Sequence, residues 1–210
     1  MESTKQRQPI LITGCPRSGK TLIAQILQIS GIFFGETNKM LENEKLSELT
    51  EAYQQAHDIS PASKKSALSI PQDWESKVAQ LMLKQGYKDK RWAFKHADIS
   101  TLWPIWKYSY PEAKVIIVRR SIEDIVPSCM KTKYMTQCNT EEEWAELMQQ
   151  YETKYPEMIL SGMNCKTIWP HEMVNGNYAH IYELLRWLDI PWKAEIVSQI
   201  DPKFWKSRKK

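Results

Sequence analysis

Residues 10–27, ILITGCPRSGKTLIAQIL, read as a strand, a loop and a helix. Residues 10–13 form a short apolar run ending at Gly14, the pattern of a parallel strand buried on both faces. In residues 21–30 the apolar side chains Leu22, Ile23, Ile26, Leu27 and Ile29 fall at helical spacing, and Gly31 stands where a helix would end. Between them, residues 14–21 fit the phosphate-loop pattern G-x-x-x-x-G-K-[ST] at every fixed position. Such a loop aims successive backbone N–H groups at one anion, at the positive end of a helix. Gly14 and Gly19 permit the tight path, Arg17 and Lys20 supply cations, and Thr21 supplies a hydroxyl. The stretch predicts a bound phosphate.

Outward from it, strand and helix patterns alternate. Residues 32–34 read as a second short strand, and residues 36–69 are polar with weak periodicity, SPASKKSALS (60–69) reading as an exposed loop. A helix is predicted over 73–85, with Trp74, Val78, Leu81 and Met82 on one side and Gly86 closing it. Residues 92–95 suggest a strand and 102–108 a short helix. KVIIV (114–118) is a clear strand, feeding the helix SIEDIVPSCMK, whose Ser121-x-x-Asp124 start resembles a capping box. Residues 140–151 read as a helix capped by Thr140, with Glu143 three residues on; 166–169 as a last strand; 178–188 as an amphipathic helix. The alternation predicts one α/β domain over residues 1–210, a three-layer α/β/α sandwich around a mainly parallel sheet of the P-loop NTPase type.

Composition agrees with that class. The 210 residues carry a net charge of +4, are 42% hydrophobic and 26% charged, and suffice to bury a sizeable core. The small basic excess suits a substrate bearing several phosphates and does not argue for nucleic acid. The basic end KFWKSRKK reads as a solvated tail. No apolar signal region precedes residue 10 and no run reaches membrane-spanning length; Cys15, Cys129, Cys138 and Cys165 lack paired C-x-x-C spacing. The expectation is a cytoplasmic protein with reduced thiols and no membrane partner. The nine tryptophans are expected mostly in the core.

The loop alone leaves the nucleotide open. An ATP-using enzyme of this class holds magnesium partly through an Asp ending a second apolar strand. KVIIV ends instead in Arg119-Arg120, and neither WAFK nor KTIW ends in Asp. A cation there repels a metal and attracts another phosphate, so no metal is expected.

At these residues the chain resembles the sulfotransferase superfamily, enzymes using 3′-phosphoadenosine 5′-phosphosulfate. GCPRSGKTLIAQIL is similar to the family's 5′-phosphosulfate loop, with Lys20 where Thr is usual. WAFKHADISTLWPIWKYSYPEAKVIIVRRSIEDIVPSC resembles the segment running into the 3′-phosphate motif, an Arg followed eight residues later by a Ser; Arg120 and Ser128 have that spacing, and Asp124 falls where the family commonly has Asp. TIWPHEMVNGNYAHIYELLRWLDIPW resembles the later strand and helix. Open α/β sheets place ligands at strand carboxyl ends, which makes Arg120 a reasonable anion site in its own right.

The resemblance implies sulfuryl transfer to a hydroxyl, or an amine, of a small-molecule, carbohydrate or peptide acceptor. It implies donor binding by Gly14, Pro16, Arg17, Ser18, Gly19, Lys20 and Thr21 with Arg120 and Ser128. Arg17 would neutralise the leaving 5′-phosphate, with Lys20 assisting or substituting, and Lys95 would face the sulfuryl oxygens or lie on the surface at its strand end. Arg119 either shares the 3′-phosphate or makes a surface ion pair. The base is Glu36, in a GET phrase resembling the tyrosylprotein branch, or His96, as in cytosolic members; position favours Glu36. Glu42 and Glu44 read as solvated helix residues. An ATP-dependent small-molecule kinase, which the complete loop pattern allows, and a non-catalytic nucleotide-binding protein are the alternatives.

Overall fold

The computed structural model describes residues 8–61 and 69–200. Most of the expected 60–69 loop and the basic tail therefore lie outside the described residues. Among the described residues four strands form one sheet: β1 (Ile10–Thr13), β2 (Ala93–Lys95), β3 (Lys114–Val118) and β4 (Asn164–Ile168). Every pairing is parallel and the order is β2-β1-β3-β4, with Ile12 opposite both Lys95 and Ile116. Period-two alternation sends one set of side chains to each face. Leu11, Phe94, Val115 and Ile117 point into one core; Ile10, Ile12, Ala93, Ile116 and Val118 point into the other.

Helices cover both faces, giving the predicted three layers. The second core is closed by α1 (Lys20–Ile29), through Ile23, Ala24, Ile26 and Leu27, and by Ile181, Leu184 and Leu185 of Ala179–Trp187. The first core receives Leu46 of α2 (Glu44–His57), Trp74, Val78 and Met82 of α3 (Trp74–Lys84), and Ile105 and Trp106 of α4 (Trp103–Ser109). It also receives Ile125, Val126 and Cys129 of α5 (Ile122–Met130), and Trp144, Met148 and Met158 of α6 (Glu141–Leu160). Trp74, Trp92, Trp106 and Trp144 are fully buried on this face, while Trp192 is exposed, so four of the eight described tryptophans lie in the core where most were expected. No helix among the described residues is long and apolar enough to cross a membrane. The four cysteines are free.

Four expectations need correction. Residues 32–34 make a single bridge, Phe33 to Trp92, rather than a strand, because only one residue reaches the edge of β2. The polar stretch after residue 36 contains α2, whose buried positions Leu46, Thr50 and Gln54 keep helical spacing but include two polar residues. Thr140 caps α6 by accepting the Glu143 N–H at 3.1 Å, but the helix runs on through Pro156 to Leu160. Ser121 stands at the start of α5 without a side-chain cap; the Asp124 N–H goes to its carbonyl instead.

Chain order sets where a ligand fits. From β1 the chain moves to β2 on one side of the sheet, then to β3 on the other. The crevice between the carboxyl ends of β1 and β3 is therefore a topological switch point, the usual ligand position in open α/β sheets.

Candidate functional site

The loop after β1 packs directly on the end of β3. Gly14 has φ +151°, and a Cβ there would stand 2.2 Å from the Val118 carbonyl oxygen and 2.8 Å from Ser18 Oγ, so only glycine fits. Arg17 takes the left-handed conformation at φ 63°, which costs about 1–3 kcal/mol in a non-glycine residue and presents its side chain outward. Gly19 begins α1 at φ 100°. Ser18 is fully buried, and its hydroxyl has no hydrogen-bond partner among the described residues. An unmet buried hydroxyl costs about 1–3 kcal/mol, which an anionic ligand oxygen at this loop would relieve.

Lys20 turns back beneath the loop. Its Nζ donates to the Gly14 carbonyl at 2.8 Å and the Cys15 carbonyl at 2.7 Å. Two of its three donors thus brace the loop, and one remains for a ligand. Burial, and then the charge of Lys95, push its pKa down to about 8. Thr21 Oγ1 lies 3.5 Å from the Met40 carbonyl, so the loop before α2 borders the start of α1.

The two expected phosphate sites touch. Arg17 Nε donates to Ser128 Oγ of α5 at 3.0 Å, and Arg120 Nη1 donates to the Arg17 carbonyl at 3.4 Å. Arg120 is 8% exposed, with Nε 3.9 Å from Asp124 Oδ2. Burial lowers its pKa against the attraction of Asp124, while Arg17 adds repulsion. Helix α5 continues through Pro127 and still brings Ser128 to the loop. Arg119 turns away. Its guanidinium pairs with Glu152 of α6 and lies 4.9 Å over the Trp169 ring. Of the doubled arginine, Arg120 is the one that meets the phosphate loop.

Lys95, at the end of β2, is buried at 2% exposure, so the surface reading of this lysine fails. Its Nζ lies 2.7 Å from Glu42 Oε1. Glu42 was expected as a solvated helix residue; it instead precedes α2 in a loop and turns its carboxylate inward. Burial would raise its pKa, but the Lys95 charge and hydrogen bond outweigh that and hold it below the usual carboxylate range. Nothing in the sequence pattern singles out Glu42, since its position depends on a turn closed by Leu41 at φ 58°.

His96 Nδ1 accepts the Asp98 N–H at 3.2 Å, and its ring stacks on Phe94 at 5.9 Å. Asp98 accepts in turn from the Tyr151 hydroxyl at 2.8 Å. A neutral imidazole that accepts at Nδ1 carries its proton on Nε2, where it donates. Glu36 is exposed; its N–H donates to Gln85 Oε1 at 2.7 Å and its carbonyl accepts from Glu44 at 3.4 Å. The site therefore gathers Arg17, Ser18, Lys20, Arg120 and Ser128 on one side and Lys95, His96 and the unforeseen Glu42 on the other, while the backbone of Glu36 is held by Gln85 and Glu44, outside that group.

A family model described as "Sulfotransferase family" matches residues 9–194. No curated protein sequence matches the chain. Among solved structures, it is similar to the sulfotransferase domain of the Synechococcus PCC 7002 olefin synthase, at 13% identity and TM-score 0.61 over 99% of this chain and 86% of that one. It is also similar to a sulfotransferase from Mycobacterium avium, at 14% identity and TM-score 0.56 over 95% and 68% of the two chains. A mouse sulfotransferase complexed with PAP aligns at 16% identity and TM-score 0.55 over 97% of this chain and 68% of the other. At these identities the structures speak for the fold.

Proposed function

Because the chain belongs to the sulfotransferase family, we propose that it transfers a sulfuryl group from 3′-phosphoadenosine 5′-phosphosulfate to a hydroxyl acceptor, a small molecule, carbohydrate or peptide. The observation that carries this reading is the junction of Arg17, Ser128 and Arg120, where the loop after β1 meets the helix after β3. Two cations and a hydroxyl from two strand ends suit a nucleotide with phosphates at both ribose positions. PAP in the mouse relative supports the same ligand class.

The donor supplies the sulfuryl group and leaves as the adenosine 3′,5′-bisphosphate. Gly14, Pro16, Ser18 and Gly19 shape the loop around the 5′ end, with Lys20 and Thr21 at the start of α1. Arg17 neutralises the charge that grows on the leaving phosphate, and Arg120 with Ser128 holds the 3′-phosphate. Lys95 faces the sulfuryl oxygens. Glu36 takes the acceptor's proton; His96, whose Nδ1 already accepts the Asp98 N–H, is the alternative base.

The test is a thermal-shift comparison. Adenosine 3′,5′-bisphosphate without metal should stabilise the protein by about 2.7 kcal/mol at one hundred times its Kd. A shift seen only with magnesium-ATP would overturn the reading in favour of a small-molecule kinase.

A further inference from the structure

The transfer step needs a cation at Lys95, yet the end of β2 is a costly place for one. Lys95 is 2% exposed, and the same buried region holds the like-charged Lys20 of α1. Desolvation lowers the pKa of Lys95, and Glu42 opposes that effect by its charge and its hydrogen bond. Lys20 is acted on by Lys95, by Cys15 in the phosphate loop, by Glu42 from the loop before α2 and by Asp98 from the turn at Ala97–Ile99. Lys95 is acted on by Glu42, and Glu42 in turn by Lys95, by His96 next along the strand and by Lys20. Among the described residues, Glu42 is the carboxylate within ion-pair distance of Lys95.

The chain holds that carboxylate in a built position. The Glu42 N–H donates to Asn38 Oδ1 at 3.1 Å, and the Asn38 N–H donates to the Glu42 carbonyl at 3.0 Å. The next residue, Asn43, is buried, donates to the Phe34 carbonyl at 2.8 Å and caps α2 by accepting the Leu46 N–H at 3.1 Å. Leu41 completes the turn in a left-handed conformation. A surface glutamate needs none of this support.

Resting on the sulfuryl-transfer reading above, we propose that Glu42 is a positioning residue of the reaction: through its contact with Lys95 it keeps that lysine an ammonium and aims it across the end of β2. The acceptor's proton goes elsewhere, and no bond to Glu42 forms or breaks.

Glu42→Gln tests this because it keeps the size and a hydrogen-bond acceptor for Nζ and removes only the charge. The direct readout is the Lys95 titration in ¹⁵N spectra of lysine-labelled protein, assigned by the signal missing in Lys95→Arg. In Glu42→Gln the midpoint should move to lower pH by about 1–3 units, since an opposite charge at this range shifts a pKa by that much. Sulfuryl transfer from the labelled donor, to water or to a screened acceptor, should lose its alkaline limb at correspondingly lower pH. Read at one pH on that limb, the rate should fall about tenfold for each unit moved. Glu42→Asp should recover part of the shift, and the bisphosphate thermal shift should stay within about threefold in apparent Kd. An unmoved midpoint overturns the proposal, as does a rate lost equally at all pH with the midpoint unmoved, which would make Glu42 the base. Failure of the wild-type protein to bind the bisphosphate would remove the donor reading instead, while the titration still decides the role of Glu42.

Discussion

The proposed donor side of the site hangs on strand ends, whereas the proposed transfer side hangs on a loop. Arg17, Ser18 and Lys20 follow β1, and Arg120 follows β3; both strands lie inside the sheet with partners on either edge. Their places are set by ladder register, so the proposed phosphate ligand would have two rigid neighbours. Next to β1, Lys95 ends the edge strand β2, and its partner Glu42 comes from a turn held by side-chain hydrogen bonds. The difference teaches that the same crevice joins a part specified by regular pairing to a part specified by one folded turn. Changes on the first side should act on donor affinity, and changes on the second on turnover.

The largest expected effect falls on the transfer side. Glu36→Gln keeps the side chain's size but cannot take a proton, so turnover should drop by roughly 10²–10⁴-fold while bisphosphate affinity survives. His96→Asn should do less damage in the same assay. Near-normal turnover of Glu36→Gln would move the base to another group on this side.

Next comes the division of labour between the paired arginines. Arg120→Ala should cost about 1.5–3 kcal/mol in binding adenosine 3′,5′-bisphosphate, and much less for adenosine 5′-phosphate. Arg119→Ala, with its guanidinium already held by Glu152, should show little of that difference. Equal losses for both ligands in Arg120→Ala would break the assignment of a strand end to each phosphate.

Lys20 links the donor side to pH. Its folded-state pKa is depressed to about 8 from the usual lysine value of 10.5. The protonated form attracts the anion, so affinity should be full below about pH 8 and decline as pH rises through it. A loss of about tenfold between pH 7 and 9 is expected, with proton uptake on binding near pH 8, measurable by calorimetry in two buffers. Because the unfolded chain holds the Lys20 proton up to the usual value of 10.5, the ligand-free protein should gain stability as pH rises from about 8 to about 10.5. Affinity that is flat to pH 9 would mean that Lys20 serves the loop's own carbonyls alone.

The smallest effects separate a real cap from an apparent one. Thr140→Ala removes the hydroxyl that caps α6 and should cost about 1 kcal/mol of stability. Ser121→Ala removes no side-chain cap from α5 and should stay within about 0.5 kcal/mol, with bisphosphate affinity unchanged.

The sequence by itself determined the layered α/β fold, the tight loop from β1 into α1 and the helix-capping Thr140. These rest on signals a few residues long: an apolar run ending at Gly14, KVIIV, and a Thr-x-x-Glu start. Helix α2 escaped because its buried stripe is Leu46, Thr50 and Gln54, so burial there does not track hydrophobicity. The junction of Arg17 with Ser128 and Arg120 was foreshadowed only as two separate motifs. Which arginine faces the loop was decided by Glu152 and Trp169, which arrive from α6 and the end of β4 and draw Arg119 aside. The Lys95–Glu42 pair was decided in the same way. Its members lie far apart in the chain, and only the parallel placement of β2 beside β1, with the turn at Leu41, brings a carboxylate to a buried ammonium. Local periodicity records which residues prefer the interior; it does not record which charge will be waiting there.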